Sequence, residues 1–245
     1  VTIKDTNAMV LGGLDIDGNL DVNAGGLLTD TGISVVDGTA SFATTNSGSN
    51  ITLTQLDIAN AIDVTTAATS NVALTNTTAI NLAASNVNGD LSVTANTGGI
   101  SDSGAVVVAG NLTLNDVSQA GINLGDLQVD GNVILTTAAN TTLVNDAVLN
   151  LEGSVTGDLT ATAIAGGITD SGTLTVSGAA TFTAPSAAIE LNNANDFTTV
   201  TVLGATDVTI NDTNAIVLGG LDIDGNLDVN AGGLLTDTGI SVVDG

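Results

Sequence analysis

The stretch Asp15-Ile16-Asp17-Gly18-Asn19-Leu20-Asp21 sets four oxygen-bearing side chains at alternate positions, and it returns as Asp222–Asp228. Calcium takes hard oxygen ligands from closely spaced Asp and Asn, and Asp-x-Asp-x-Asn is how a helix-flanked calcium loop opens. The candidate metal ligands are Asp15, Asp17, Asn19 and Asp21, with Asp222, Asp224, Asn226 and Asp228 in the second copy. The likeness is incomplete. Glycine arrives too early, and the bidentate Glu that closes such a loop is missing. Ile16 and Leu20 also have the spacing of inward strand residues. A strand–turn–strand with solvated Asp is the favoured reading and specific calcium binding the alternative. No cofactor is required, and calcium is the one left open.

Asp-[Ser/Thr]-Gly recurs at Asp30, Asp102, Asp170 and Asp237. It reads as a turn. The four Asp fall about three coils apart, roughly 14 Å at the spacing of paired strands, too far to share an ion. Catalysis lacks its parts. There is no His or Cys, and the single basic residue, Lys4, is Asn211 in the other copy. Carboxylate chemistry on polysaccharides remains conceivable, but such sites add Arg, Lys or His to hold the sugar. The expectation is that this is not an enzyme. Thr-x-Thr pairs such as Thr52/Thr54, Thr173/Thr175 and Thr181/Thr183 have the form used by ice-binding coils. That use needs the pair on one face of every coil, and in sequence the pairs are irregular, so ordinary strand preference is the favoured reading. Asn-x-Thr sequons at Asn50, Asn76, Asn111, Asn140 and Asn211 are as frequent as chance gives in a chain rich in both residues.

The elements that carry these residues follow from repetition. Val1–Gly38 recurs as Val208–Gly245 with two changes, Lys4 to Asn211 and Met9 to Ile216. Gly-[Asn/Asp]-Leu followed by Gly-Gly and Asp-[Ser/Thr]-Gly begins at Gly18, Gly89, Gly157 and Gly225. Super-repeats are therefore expected over 18–88, 89–156 and 157–224, with 225–245 restarting the first and a long period of 207 residues. A finer spacing of 21 separates Gly89, Gly110 and Gly131, Gly157 and Gly178, and Gly204 and Gly225. Between such glycines, Leu14-Asp15-Ile16, Leu174-Thr175-Val176 and Val208-Thr209-Ile210 alternate apolar and polar residues, the period of a half-buried strand. Gly, Asn and Asp supply the corners.

Composition agrees. Hydrophobic residues make up 43% but aromatics 1%, and the only aromatics are Phe42, Phe182 and Phe197. A globular core normally uses aromatics as large fillers. Here Val, Ile, Leu and Ala suit thin stacked layers, and β-branched abundance argues against disorder. The expectation is all-β: one continuous parallel β-solenoid over 1–245, three-sided, with about 21 residues per coil. Phe42 and Phe182, each four residues after a glycine, are expected at one wider corner. A β-sandwich is the rival, but a 21-residue rhythm has no role there.

Gly-Asn-Leu-x-Val, Gly-Gly-Ile-x-Asp-Ser-Gly, Leu-Thr-Val-x-Gly-x-Ala-x-Phe and Asn192–Phe197 (Asn-Asn-Ala-Asn-Asp-Phe) resemble the repeats of giant bacterial haemagglutinin-type surface proteins. That group includes filamentous-haemagglutinin-like exoproteins and autotransporter-like passengers. The resemblance implies a right-handed parallel β-helix, secretion across the outer membrane, and a place at the cell surface as an adhesin or fibre.

Net charge is −25, from 26 acids against one base. Nucleic acid and anionic membranes are therefore excluded as partners for want of a basic patch. No apolar run approaches the roughly 18 residues of a membrane span, so direct membrane insertion is not expected. No basic and apolar leader opens the chain, and any secretion signal is expected outside it. A stack of about 11 to 12 coils would be roughly 55 Å long. Its charge, about one per 2 Å, would approach the axial density of duplex DNA. The expected partners are further copies of the repeat, end to end and laterally, with a surface glycan or receptor as the alternative. Like Val1–Gly38, the last coil reads as internal repeat rather than cap, so more solenoid is expected on both sides.

Overall fold

The computed structural model describes residues 1–245, which form strands, turns and bends without helix. No helix is therefore long and apolar enough to cross a membrane. The chain divides into two compact units, Val1–Gly131 and Asn132–Gly245. Each is a β-solenoid of parallel stacked strands with about 20 residues per turn.

In the first unit the opening turn has three strands, Thr2–Asp5, Met9–Gly12 and Asp15–Ile16. The second turn repeats them as Leu20–Ala24, Leu28–Gly32 and Ser34–Val36. Each strand pairs in parallel with its counterpart one turn later: Ile3 with Val22, Met9 with Leu28, Ile16 with Val36. One column runs on as Ile51–Ile58, Val72–Asn76, Leu91–Ala95 and Leu112–Asp116. The steps between partners vary from 19 (Val72 to Leu91) to 23 (Leu28 to Ile51). Strands hold register and corners absorb the difference. The longest step is taken up by residues 45–50, where Gly48 has φ +73° and the Thr44 hydroxyl donates to the Ser49 carbonyl at 2.8 Å.

In the second unit Thr141–Asn145, Leu159–Ala163, residues 180–183 and residues 200–202 form one column. Leu149, Ile168, Ile189, Val208 and Leu227 open the strands of another, the long strands Ile168–Thr183 and Ile189–Ala205 running through both. Partner steps here run from 17 (Asn195 to Asp212) to 21 (Leu159 to Ala180). The spacing of about 21 read from sequence is thus one common step among several, and the average is about 20. Gly204 shows why. Its 21-residue distance from Gly225 is fortuitous: Gly204 lies beside Pro185 at φ +143°, whereas Gly225 sits over Thr206 and Asp207.

Strand residues alternate inward and outward, as in Leu20–Ala24, Leu91–Ala95 and Val208–Asp212. Inward Val22, Phe42 and Val64 stack in successive turns, fully buried. Burying each such side chain is worth about 1.5–3 kcal/mol against the exposed state. The phenylalanines are not at a corner. Phe42 is mid-strand between Val22 and Val64, and Phe182, next to last in the strand Ile168–Thr183, is paired in register between Ala161 and Val202. Small or branched neighbours above and below, not a wider bend, make the room.

Corner glycines are dictated by contact with the turn beneath. A Cβ on Gly110 would lie 2.8 Å from the carbonyl carbon and oxygen of Gly89, which are backbone and cannot swing away. Gly110→Ala is expected to cost about 1–3 kcal/mol by overpacking, read as a lower urea midpoint. Gly125, with open space around its Cβ position, is the control and should change far less.

Candidate functional site

The eight candidate ligands do not converge. Asp15 is exposed opposite Val35, while its neighbour Ile16 points inward. Asp17 is exposed in the bend that follows, and Asp21 faces outward between Thr2 and Ser41. The Asn19 side-chain oxygen accepts the Thr39 N–H at 3.0 Å. In the second copy Asp222 lies opposite Val242 and Asp228 opposite Thr209, and the Asp224 N–H donates to Ala205. Asn226 donates both its backbone N–H and its amide to Asp207 Oδ1, at 2.8 and 3.0 Å. Nowhere do three or more His, Cys, Asp or Glu side chains gather in a way that would hold a metal ion.

These side chains bind turn to turn. At a corner the backbone leaves the ladder and its N–H would go unpaired, so a short side-chain oxygen supplies the acceptor. In the first unit the acceptors form a column. Asn50 accepts from Asn71, Asn71 from Asp90, and Asp90 from Asn111, at 2.8–2.9 Å. In the second unit Asn140 accepts from Asp158 and Asp158 from Ala179. Only the Oδ1 acceptor is used, which is why Asn and Asp alternate freely at this corner.

The Asp-[Ser/Thr]-Gly aspartate, read from sequence as a turn former, clamps the next turn. Asp102 Oδ1 and Oδ2 accept the N–H groups of Gly125 and Asp126 at 3.1 and 2.8 Å. Asp30 Oδ2 accepts the Gln55 N–H at 2.7 Å. Asp170 accepts from Asn192 and Asn193 at 3.0 and 2.9 Å, and from the Asn195 amide at 2.7 Å. The cause lies in the register. Between Ser101↔Asn123 and Val106↔Leu127, four residues of one turn face three of the next. The same four-to-three mismatch lies between Thr29↔Thr52 and Ser34↔Leu56. The ladder cannot close there, and a carboxylate with two acceptor oxygens bridges it. The signal available in sequence was the recurrence of Asp one turn before these positions.

A third set is buried. Asn76, Asn195 and Asp212 close other breaks in register by accepting an N–H from the turn beneath: Ile58, Leu174 and Phe197, each at 2.8 Å. Burial pushes the Asp212 carboxyl above its ordinary value. The N–H groups of Phe197 and Asn214 pull it back, and nearby Asp196 adds a smaller upward push. A raised folded-state value means the native state prefers the proton. Asp212 therefore contributes stability fully present below the ordinary carboxylate range and lost as pH rises through the raised value. Asp212→Asn, which keeps the acceptor for Phe197, is expected to flatten stability against pH across that window. Urea unfolding from pH 3 to 7 (order-of-magnitude bounds for the carboxylate range) reads it, and an unchanged slope would count against burial as the cause.

The outward faces differ. In the second unit strand register places Thr142, Thr160, Thr181 and Thr201 in one unbroken row. Val144, Thr162 and Thr183 form the row beside it. The regularity hidden in sequence by unequal turns is thus present on this face. In the first unit the comparable row is Thr52, Ala73, Ser92 and Thr113, beside a groove of about 230 Å³ bordered by Asn50, Asn71 and Asp90.

Parallel stacking, turn-to-turn side-chain ladders and internal repeats together define a repetitive β-solenoid protein. The chain belongs to the family described as "Repeats of unknown function (DUF5649)", whose unit matches residues 1–67, 69–140, 138–204 and 205–245. No curated protein and no solved structure matches it.

Proposed function

We propose that this chain is a structural, non-enzymatic segment of an extracellular fibre or stalk, part of a giant repetitive bacterial surface protein of the filamentous-haemagglutinin-like kind. The observation that carries this is the interchangeability of turns. Leu28, Ile51, Val72, Leu91 and Leu112 stand one above another in five successive turns, all buried. Each turn covers its neighbour with the same kind of inward residue, and repeats of this kind extend by stacking. Acidic charge then governs how neighbouring fibres meet. Like-charged surfaces repel at low salt and tolerate contact once ions screen them. Electron micrographs of the native material test the reading. Long, uniform, thin fibres are expected, and compact isolated particles would sink it. Calcium should raise light scattering by lateral association and a chelator should reverse it.

A second reading, an adhesin passenger gripping a glycan, is favoured by the groove of the first unit. Amides, hydroxyls and the Asp90 carboxylate line it, as hydrogen bonding to sugar hydroxyls requires. Binding to immobilised glycans that Asp90→Ala abolishes would support it.

A further inference from the structure

We propose that the threonine face of the second unit is an ice-binding surface, holding the water layer of an ice crystal plane on rows of hydroxyl and methyl groups. Four turns contribute to it. Thr142, Thr160, Thr181 and Thr201 are joined residue to residue by the parallel ladder. Thr162 and Thr183 stand two residues along the same strands, with Val144 completing their row.

Strand geometry fixes the lattice. Rows repeat about every 4.8 Å from turn to turn, and neighbouring rows stand about 6.7 Å apart along the strand. Water oxygens on the prism plane of hexagonal ice repeat at two distances close to these. Four turns are few enough that a small mismatch per turn does not put the rows out of step. Threonine adds rigidity, because its β-branched side chain is stiff about χ1 and a strand holds its base. The two rows themselves are also uncharged. The chain has 26 acidic residues, yet none falls in either row. A charged group would keep its own hydration shell and break the pattern.

Other occupants fit less well. A row of four turns and one of three beside it cover at most roughly 20 Å by 7 Å on strand spacings, far below the ~800 Å² per partner of a stable interface between copies. No aromatic or charged side chain stands in the rows to hold a sugar ring.

The test uses the whole chain in thermal hysteresis and ice-recrystallisation assays, with Thr160→Lys, Thr181→Lys and the shape-preserving Thr181→Val. Wild type is expected to restrain crystal growth at micromolar concentration (an order-of-magnitude working range for specific binding). The lysine variants should lose most of that effect and Thr181→Val part of it, with circular-dichroism melting unchanged. Ser92→Lys, on the first unit, should leave it intact. Crystals that grow in wild type as they do in buffer would overturn the inference. So would lysine variants as active as wild type, or variants that alter only light scattering in cold, ice-free buffer.

Discussion

Asp170→Ala is expected to lower the free energy of unfolding by about 2–4 kcal/mol, because removing this half-buried acceptor strands three donors at once, one of them on a buried side chain. Asp170 holds two consecutive backbone N–H groups, of Asn192 and Asn193, and the amide of the fully buried Asn195. Water can reach the exposed Asn192 but not Asn195, so the loss concentrates on the buried side. Asp170→Asn keeps the shape and one acceptor and should lose about half as much on the scale of a single hydrogen bond. Urea unfolding of both variants measures this. A loss under about 0.5 kcal/mol for Asp170→Ala, the size of an ordinary surface change, would show the clamp to be ornamental.

Phe182→Ala should cost more, about 3–5 kcal/mol, the range for emptying a packed aromatic site. Phe182 is fully buried, and its ring meets Phe197 edge to face, centroids 5.9 Å apart at 77°. Ala161 beneath leaves no bulk to collapse into the gap. A double-mutant cycle with Phe197→Ala should return a coupling of about 0.5–1.5 kcal/mol beyond the area lost. Had Phe182 stood at a roomy corner, the single change would cost little. A small value would restore the corner reading.

That contrast shows what the residues made legible. Alternation in Leu20–Ala24 and the near-identity of Val1–Gly38 with Val208–Gly245 were enough to expect parallel stacked strands, since period two and a short repeat leave few other folds. The position of Phe182 was not legible. Its distance from Gly178 is the same whether the chain bends or runs straight. Asp102 was likewise seen as a turn residue because its local pattern, Asp-Ser-Gly, is that of a turn. Its partners, Gly125 and Asp126, are 23 and 24 residues away, and only the register reveals them. The threonine rows were missed for the same reason. Steps of 18, 21 and 20 residues between Thr142, Thr160, Thr181 and Thr201 look irregular along the chain and are regular in space.

The corner column has a consequence for how such a chain can change over generations. Asn71 and Asp90 do the same job with the same oxygen, one an amide and one a carboxylate. Acidity is therefore a dial separate from architecture. Exchanging amide for carboxylate along the column resets the charge of the surface while every turn keeps its grip on the next.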